Sequence, residues 1–159
     1  MSTTATTPTT RTKVLLVDDH DLIRRGLRHA FERDRQFEVV GEAATAAEAI
    51  RQAGALQPDV VIMDLRLPDG SGLEATRALR KTSASMGIVV LTMYAGDDQL
   101  FGALEAGASA FVPKDTDARH IVDQQMPTGE QAGHAILGLF GLADNHRVKL
   151  GQQGLKRVL

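Results

Sequence analysis

The run Val60-Val61-Ile62-Met63 constrains this 159-residue chain more than any other stretch: it is wholly apolar and stops abruptly at Asp64, before Pro68-Asp69-Gly70 turns the chain. Alternate side chains of a strand face opposite sides of a sheet, so an unbroken apolar run suits a strand buried on both faces, in the middle of a parallel sheet. Asp64 then stands at the carboxyl end of the strand, the edge of an open α/β sheet where ligands bind. Lys13-Val14-Leu15-Leu16-Val17 repeats the pattern and ends in Asp18-Asp19.

Between such runs the hydrophobic period changes. Leu22, Ile23, Gly26, Leu27, Ala30 and Phe31 recur at helical spacing, with Arg24, Arg25 and Arg28 on other faces. A short strand is predicted over 37–43, and Thr45-Ala46-Ala47-Glu48 has the form of a capping box opening a helix to about 56. A second box, Ser71-Gly72-Leu73-Glu74, opens a helix to about 80. Strands over 88–92 and 108–112 follow, separated by a helix over 97–106 that Gly107 stops at its C-cap. A fifth helix is expected over 115–125, closed by Pro127. Five strands alternating with five helices imply a parallel sheet covered on both faces, because each right-handed crossover needs a helix to return.

Residues 1–10 are nearly all Ser, Thr, Ala and Pro, without the basic start and apolar block of a secretory signal, and read as a disordered leader. The alternating pattern occupies 11–126 as one domain. In 127–159, six glycines punctuate short apolar pieces; each glycine inside a helix costs ~1 kcal/mol relative to alanine, so this tail does not read as a recognisable DNA-binding domain. The absence of cysteine excludes disulfides, thiolate-bound zinc and thiol catalysis. No apolar run is long enough to cross a bilayer, and a cytoplasmic location is expected. The net charge of −2 leaves no nucleic-acid footprint, and the excess of four basic over two acidic residues in 127–159 is too small to make one.

Asp18, Asp19 and Asp64 all fall at the ends of central strands. Adjacent strands lie about 5 Å apart, so these carboxylates must converge. One such acid would read as a helix cap or turn residue. Three repel one another, and the repulsion is relieved by raised pKa values or by a hard divalent cation such as Mg²⁺. Thr92 and Lys114 end two further strands, placing a hydroxyl and an ammonium at the same edge, as a phosphoryl group on Asp64 would require. Singly each is ordinary, and Phe111 by its period is core. Among five scattered histidines, only His20 stands beside the acids.

In order, Asp18-Asp19, Asp64 followed by Pro68 and Gly72, Thr92, Phe111 and Lys114 resemble the receiver domain of two-component response regulators over about 11–119. Val17-Asp18-Asp19-His20, Gly41-Glu42-Ala43, Gly107-Ala108-Ser109-Ala110-Phe111 and Lys114-Asp115 are similar to the branch that usually carries a LuxR-type helix-turn-helix. The resemblance implies a flavodoxin-like (βα)5 doubly wound sheet of order 2-1-3-4-5. It also implies that Asp64 takes a phosphoryl group from a sensor histidine kinase. Asp19 and Asp64 would ligate Mg²⁺ directly, Asp18 through water, and the carbonyl of Arg66 would be a further ligand. Thr92 and Lys114 would hold the phosphoryl oxygens, Phe111 would follow Thr92 as a conformational switch, and Arg66 and Tyr94 would modulate the lifetime of the phosphorylated state. Control of transcription is the usual output, and a homodimer through the first and fifth helices or the fourth helix and fifth strand is the associated assembly.

Other classes share parts of this pattern. A stand-alone receiver would act by protein contacts, without DNA binding by this chain. A flavodoxin-like cofactor binder needs a Gly/Ser/Thr-rich loop after the first strand, where Asp18-Asp19-His20-Asp21 would repel phosphate. An aspartyl-phosphate hydrolase usually has a second acid two residues after its nucleophile, where this chain has Arg66.

Overall fold

The computed structural model describes residues 10–93 and 97–114. The elements run β1 (Thr12–Val17), α1 (Asp21–Glu32), β2 (Phe37–Ala43), α2 (Ala46–Leu56), β3 (Val60–Asp64), β4 (Arg66–Leu67), β5 (Gly70–Ser71), α3 (Gly72–Thr82), β6 (Gly87–Thr92), α4 (Asp97–Glu105) and β7 (Ala110–Pro113). The five long strands form one parallel sheet in the order β2-β1-β3-β6-β7. Counting only those strands, this is the expected 2-1-3-4-5 order. Residues 1–9 of the predicted leader, the fifth helix and residues 127–159 lie outside the described residues.

The apolar runs are buried on both faces, as their composition requires. Val14, Leu16, Val60, Ile62, Val89 and Leu91 face one way and pack with Leu27 and Phe31 of α1. Their neighbours Leu15, Val17, Val61, Met63 and Ile88 face the other way, against Ala49 and Ala53 of α2 and Ala75 and Leu79 of α3. Small alanines on α2 and α3 let those helices lie close to the large strand side chains. The Phe31 and Phe37 rings pack edge to face at a centroid distance of 5.3 Å.

Several local details differ from expectation. The turn after Asp64 is a two-residue hairpin, Arg66 paired with Ser71 and Leu67 with Gly70. The Thr45 hydroxyl caps α2 by accepting from Glu48 N at 3.1 Å, but the Glu48 carboxylate returns to Ala44 N, one residue before the cap. The same helix end receives Asp69 from the hairpin, whose two oxygens accept from Ala46 N and Ala47 N at 2.7 and 3.0 Å. At α3 the Ser71 hydroxyl accepts from Leu73 N, not from Glu74 N as a capping box would have it. The fifth long strand begins at Ala110 instead of 108; Ala108 instead closes the end of α4, its N–H bonding Ala103 O beside Gly107 at φ 96°.

Candidate functional site

The register brings four chain ends level. Val17 pairs with Met63, Asp64 with Leu91, and Thr92 with Pro113, so Asp18, Asp64, Thr92 and Lys114 all emerge at the same carboxyl edge. Gly72 lets the chain turn tightly behind Asp64: a Cβ there would sit 1.9 Å from the Asp64 carbonyl oxygen. Its N–H bonds Leu65 O at 2.9 Å, which closes the hairpin against β3.

Lys114 reaches into the acids. Its Nζ lies 2.6 Å from Asp18 Oδ2 and 2.8 Å from Asp64 Oδ2, and all three side chains are almost fully buried. Burial pushes the Asp64 carboxyl above the usual carboxylate range and the Asp18 charge adds to this, while bonds from Lys114 and from the Arg66 N–H pull against it. For Lys114, burial pulls the pKa down, but hydrogen bonds and charges of Asp18 and Asp64 outweigh it and leave the ammonium above its ordinary range. Asp19 is more exposed and stands across His20, whose Nδ1 lies 2.9 Å from Asp19 Oδ1 and 3.0 Å from Asp18 Oδ1.

Ligand atoms of Asp18, Asp19, His20 and Asp64 lie within 4.8 Å of one another. Three carboxylates face one lysine ammonium, so their charge is incompletely compensated. An oxygen-rich, electron-excess cluster of this kind suits a hard divalent cation. The acids do not serve as helix caps: His20 is the N-cap of α1, its side chain makes no cap bond, and Asp18 Oδ1 accepts the His20 N–H.

The other expected residues are placed as follows. Arg66 touches Asp64 through its N–H, which donates to Oδ1 at 3.2 Å, while its side chain is exposed. The buried Thr92 hydroxyl donates to Gln99 Oε1 on α4 at 3.1 Å. Phe111 pairs with Val90 and is half-buried against Leu65, Val90, Ala103 and Ala108. Tyr94 lies outside the described residues. Two further residues hold the site although composition and spacing did not single them out. Arg24 Nη1 donates to the Asp18 carbonyl at 2.5 Å and its Nε stands 3.5 Å from Glu42, fixing the turn out of β1. Gln99 is the second; a polar residue in the first turn of a helix is ordinary in sequence, and only the fold brings it to Thr92.

Residues 14–126 match the response regulator receiver domain family. The DNA-binding transcriptional activator DevR/DosR of Mycobacterium tuberculosis is 40% identical over 125 residues, covering 79% of this chain and 57% of that protein. The response regulator protein VraR of Staphylococcus aureus is 39% identical over 111 residues, covering 70% of this chain and 53% of its own. The chain thus spans about half the length of these curated relatives. A crystal structure of a LuxR-family two-component response regulator from Aurantimonas sp. SI85-9A1 superposes with a TM-score of 0.65 at 42% identity, covering 69% of this chain and 78% of that one. A CheY-like receiver domain protein from Methanospirillum hungatei JF-1 gives a TM-score of 0.65 at 28% identity, covering 69% and 86%. Sheet order, the acid edge and these matches agree: the chain belongs to the receiver domain family of two-component response regulators, and its relatives are LuxR-family and NarL-like regulators.

Proposed function

We propose that Asp64 is the phosphoacceptor. Its carboxylate oxygen attacks the phosphorus of a phosphohistidine on a sensor histidine kinase, and the new O–P bond forms as the N–P bond to the imidazole breaks. The observation that carries this reading is Lys114, a buried ammonium bonded at once to Asp64 and Asp18. Phosphoryl transfer depends on positioning and on charge neutralisation more than on covalent help, and a fixed cation at the nucleophile supplies both. Lys114 then follows the phosphoryl oxygens of the product, and the Thr92 hydroxyl donates to another of them. Receiver domains are signalling domains, and in this reading the only chemistry is the gain and loss of the phosphoryl group on Asp64.

Asp18, Asp19 and Asp64, with the carbonyl of Arg66, would hold Mg²⁺. The bound cation supplies charge compensation for the acids and for the arriving phosphoryl oxygens. Phe111 is the reporter: half-buried against Leu65, Val90, Ala103 and Ala108, it shifts when Thr92 turns toward the phosphoryl group. Arg66 and Tyr94, two residues beyond Asp64 and Thr92, set the access of water and hence the lifetime of the signal.

The receiver spans 11–126, with 1–10 a leader and 127–159 a glycine-rich tail whose sequence is not recognisable as a DNA-binding domain. In relatives of this branch the output is transcription, and the phosphorylated receiver switches such an output in the cytoplasm; the alternative is a stand-alone receiver that acts through protein contacts, as a homodimer or with a partner. No helix among the described residues is long and apolar enough to cross a membrane. The test is transfer of labelled phosphate from a phosphorylated histidine kinase. Label moves to this chain with Mg²⁺ present and not after chelation; label that stays on the kinase in both conditions, across a panel of kinases, overturns the reading.

A further inference from the structure

Among the described residues, the two ends of helix α4 are held by different kinds of bond. Beyond its C-terminus, the Arg80 guanidinium on α3 donates twice to the Gly107 carbonyl, at 3.0 and 2.8 Å, and also to the carbonyls of Ala84 and Met86 at 2.7 and 2.8 Å. That end is clamped to α3 and to the start of β6. In the first turn, among the described residues, Gln99 Oε1 instead accepts the Thr92 hydroxyl in a neutral hydrogen bond of 3.1 Å. Apolar burial does little between these points: among the described residues of α4, Ala103 is the one buried hydrophobic side chain, and Phe101 is 54% exposed.

A threonine hydroxyl carries one proton and donates to one acceptor at a time. Thr92 ends β6 one residue beyond Leu91, the register partner of Asp64, so its hydroxyl stands at the same edge as the nucleophile. We infer that Gln99 is a positioning residue that competes with the phosphoryl group for the Thr92 hydroxyl. With Asp64 unmodified, Gln99 Oε1 holds the hydroxyl and Thr92 holds the first turn of α4. When Asp64 carries a phosphoryl group, the hydroxyl turns to one of its oxygens, Gln99 loses its donor, and the first turn of α4 is released while Arg80 keeps the other end in place. The direction of exchange follows from charge, since a hydrogen bond to an ionised oxygen is roughly twice as strong as one between neutral groups. Loss of the phosphoryl group returns the Thr92 hydrogen bond to Gln99 Oε1. The inference rests on Asp64 as phosphoacceptor, and assigns the coupling of α4 to that event to one side chain.

Gln99→Leu removes the acceptor at similar length, and Gln99→Glu replaces it with a charged one. Two readouts apply to the full chain: amide hydrogen exchange over 100–105 without phosphate, and the initial rate of phosphoryl gain from acetyl phosphate and Mg²⁺ by intact mass. A net neutral hydrogen bond corresponds to a factor of about 5. Gln99→Leu is expected to raise both rates about fivefold and Gln99→Glu to lower both by a similar factor. In a Thr92→Val background, Gln99→Leu changes neither, which a merely structural role for Gln99 would not produce. Unchanged rates in Gln99→Leu, or an effect that persists without the Thr92 hydroxyl, overturn the inference. A wild-type chain that gains no phosphoryl group overturns the reading of Asp64 instead; the exchange measurement then still decides whether Gln99 holds α4, and unaltered exchange in Gln99→Leu rejects it.

Discussion

Lys114 makes the acid cluster tolerable. Without its ammonium, Asp18 and Asp64 would be two buried carboxylates with no cation between them, and breaking a buried pair by deleting one partner costs about 3 kcal/mol or more. Lys114→Met is therefore expected to lower the thermal midpoint and to abolish phosphoryl gain, and millimolar Mg²⁺ should recover more of the midpoint in the mutant than in the wild type. Thermal unfolding with and without the cation measures this. The pH dependence of Asp64 has a definite sign. Its folded-state pKa is raised, chiefly by burial, so its contribution to stability is full below the unfolded carboxylate pKa and is lost as pH rises through the folded value. At neutral pH the charge costs stability. Asp64→Asn should thus unfold at a higher temperature than the wild type at pH 7, and the difference should shrink as the pH is taken below the ordinary carboxylate range. Lys114 has the complementary behaviour at the other end of the scale: its raised pKa holds a stabilising contribution that disappears as pH rises through the folded value, above the usual lysine range.

At the scale of elements, the acid edge depends on how the segments after β3 are packed. Gly72 leaves no room for a side chain, because a Cβ would sit 1.9 Å from Asp64 O and 2.9 Å from Leu65 Cα. Backbone cannot yield as a flexible side chain can, and overpacking costs typically about 1–3 kcal/mol, occasionally more. Gly72→Ala is expected to reach at least the upper part of that range in denaturant unfolding and to slow phosphoryl gain, because the Asp64 backbone must shift. Thr45→Ala, which removes the side-chain cap on α2, should cost only about 1 kcal/mol and leave the site unaltered. The cap residues Thr45 and Ser71 were legible from their position before helical periods. The bond from Glu48 N to the Thr45 hydroxyl follows that local pattern, but the partners from elsewhere in the chain were not legible. Asp69 caps α2 from 23 residues away in sequence, and no local pattern reports a bond that exists only once the hairpin folds over the helix. The same holds for Arg24 on the Asp18 carbonyl and for Gln99 on Thr92.

For the molecule as a whole, what the sequence disclosed was what period and chain direction dictate. Apolar runs buried on both faces require a parallel sheet, a parallel sheet requires helical crossovers, and all strand ends then point one way. Asp18, Asp64, Thr92 and Lys114 therefore had to share an edge before any coordinate was known, and the register places them there. The details that depend on side-chain direction were beyond such reasoning, above all that Lys114 bridges Asp18 and Asp64 and that Thr92 turns to α4. The output is a property of a different scale. With 15 glycines along the chain, six of them in 127–159, and a net charge of −2, residues 1–159 are expected to give no salt-sensitive, sequence-selective shift of duplex DNA in a gel. The claim on which everything else depends is that the shared edge accepts a phosphoryl group at Asp64. The most direct measurement is incubation with acetyl phosphate and Mg²⁺, then intact mass of the wild type and of Asp64→Asn, with borohydride reduction to map any acyl phosphate. One phosphoryl group on the wild type, mapped to residue 64 and missing from the mutant, is the expected result; a wild type without mass gain, or a mutant that gains as much, contradicts it.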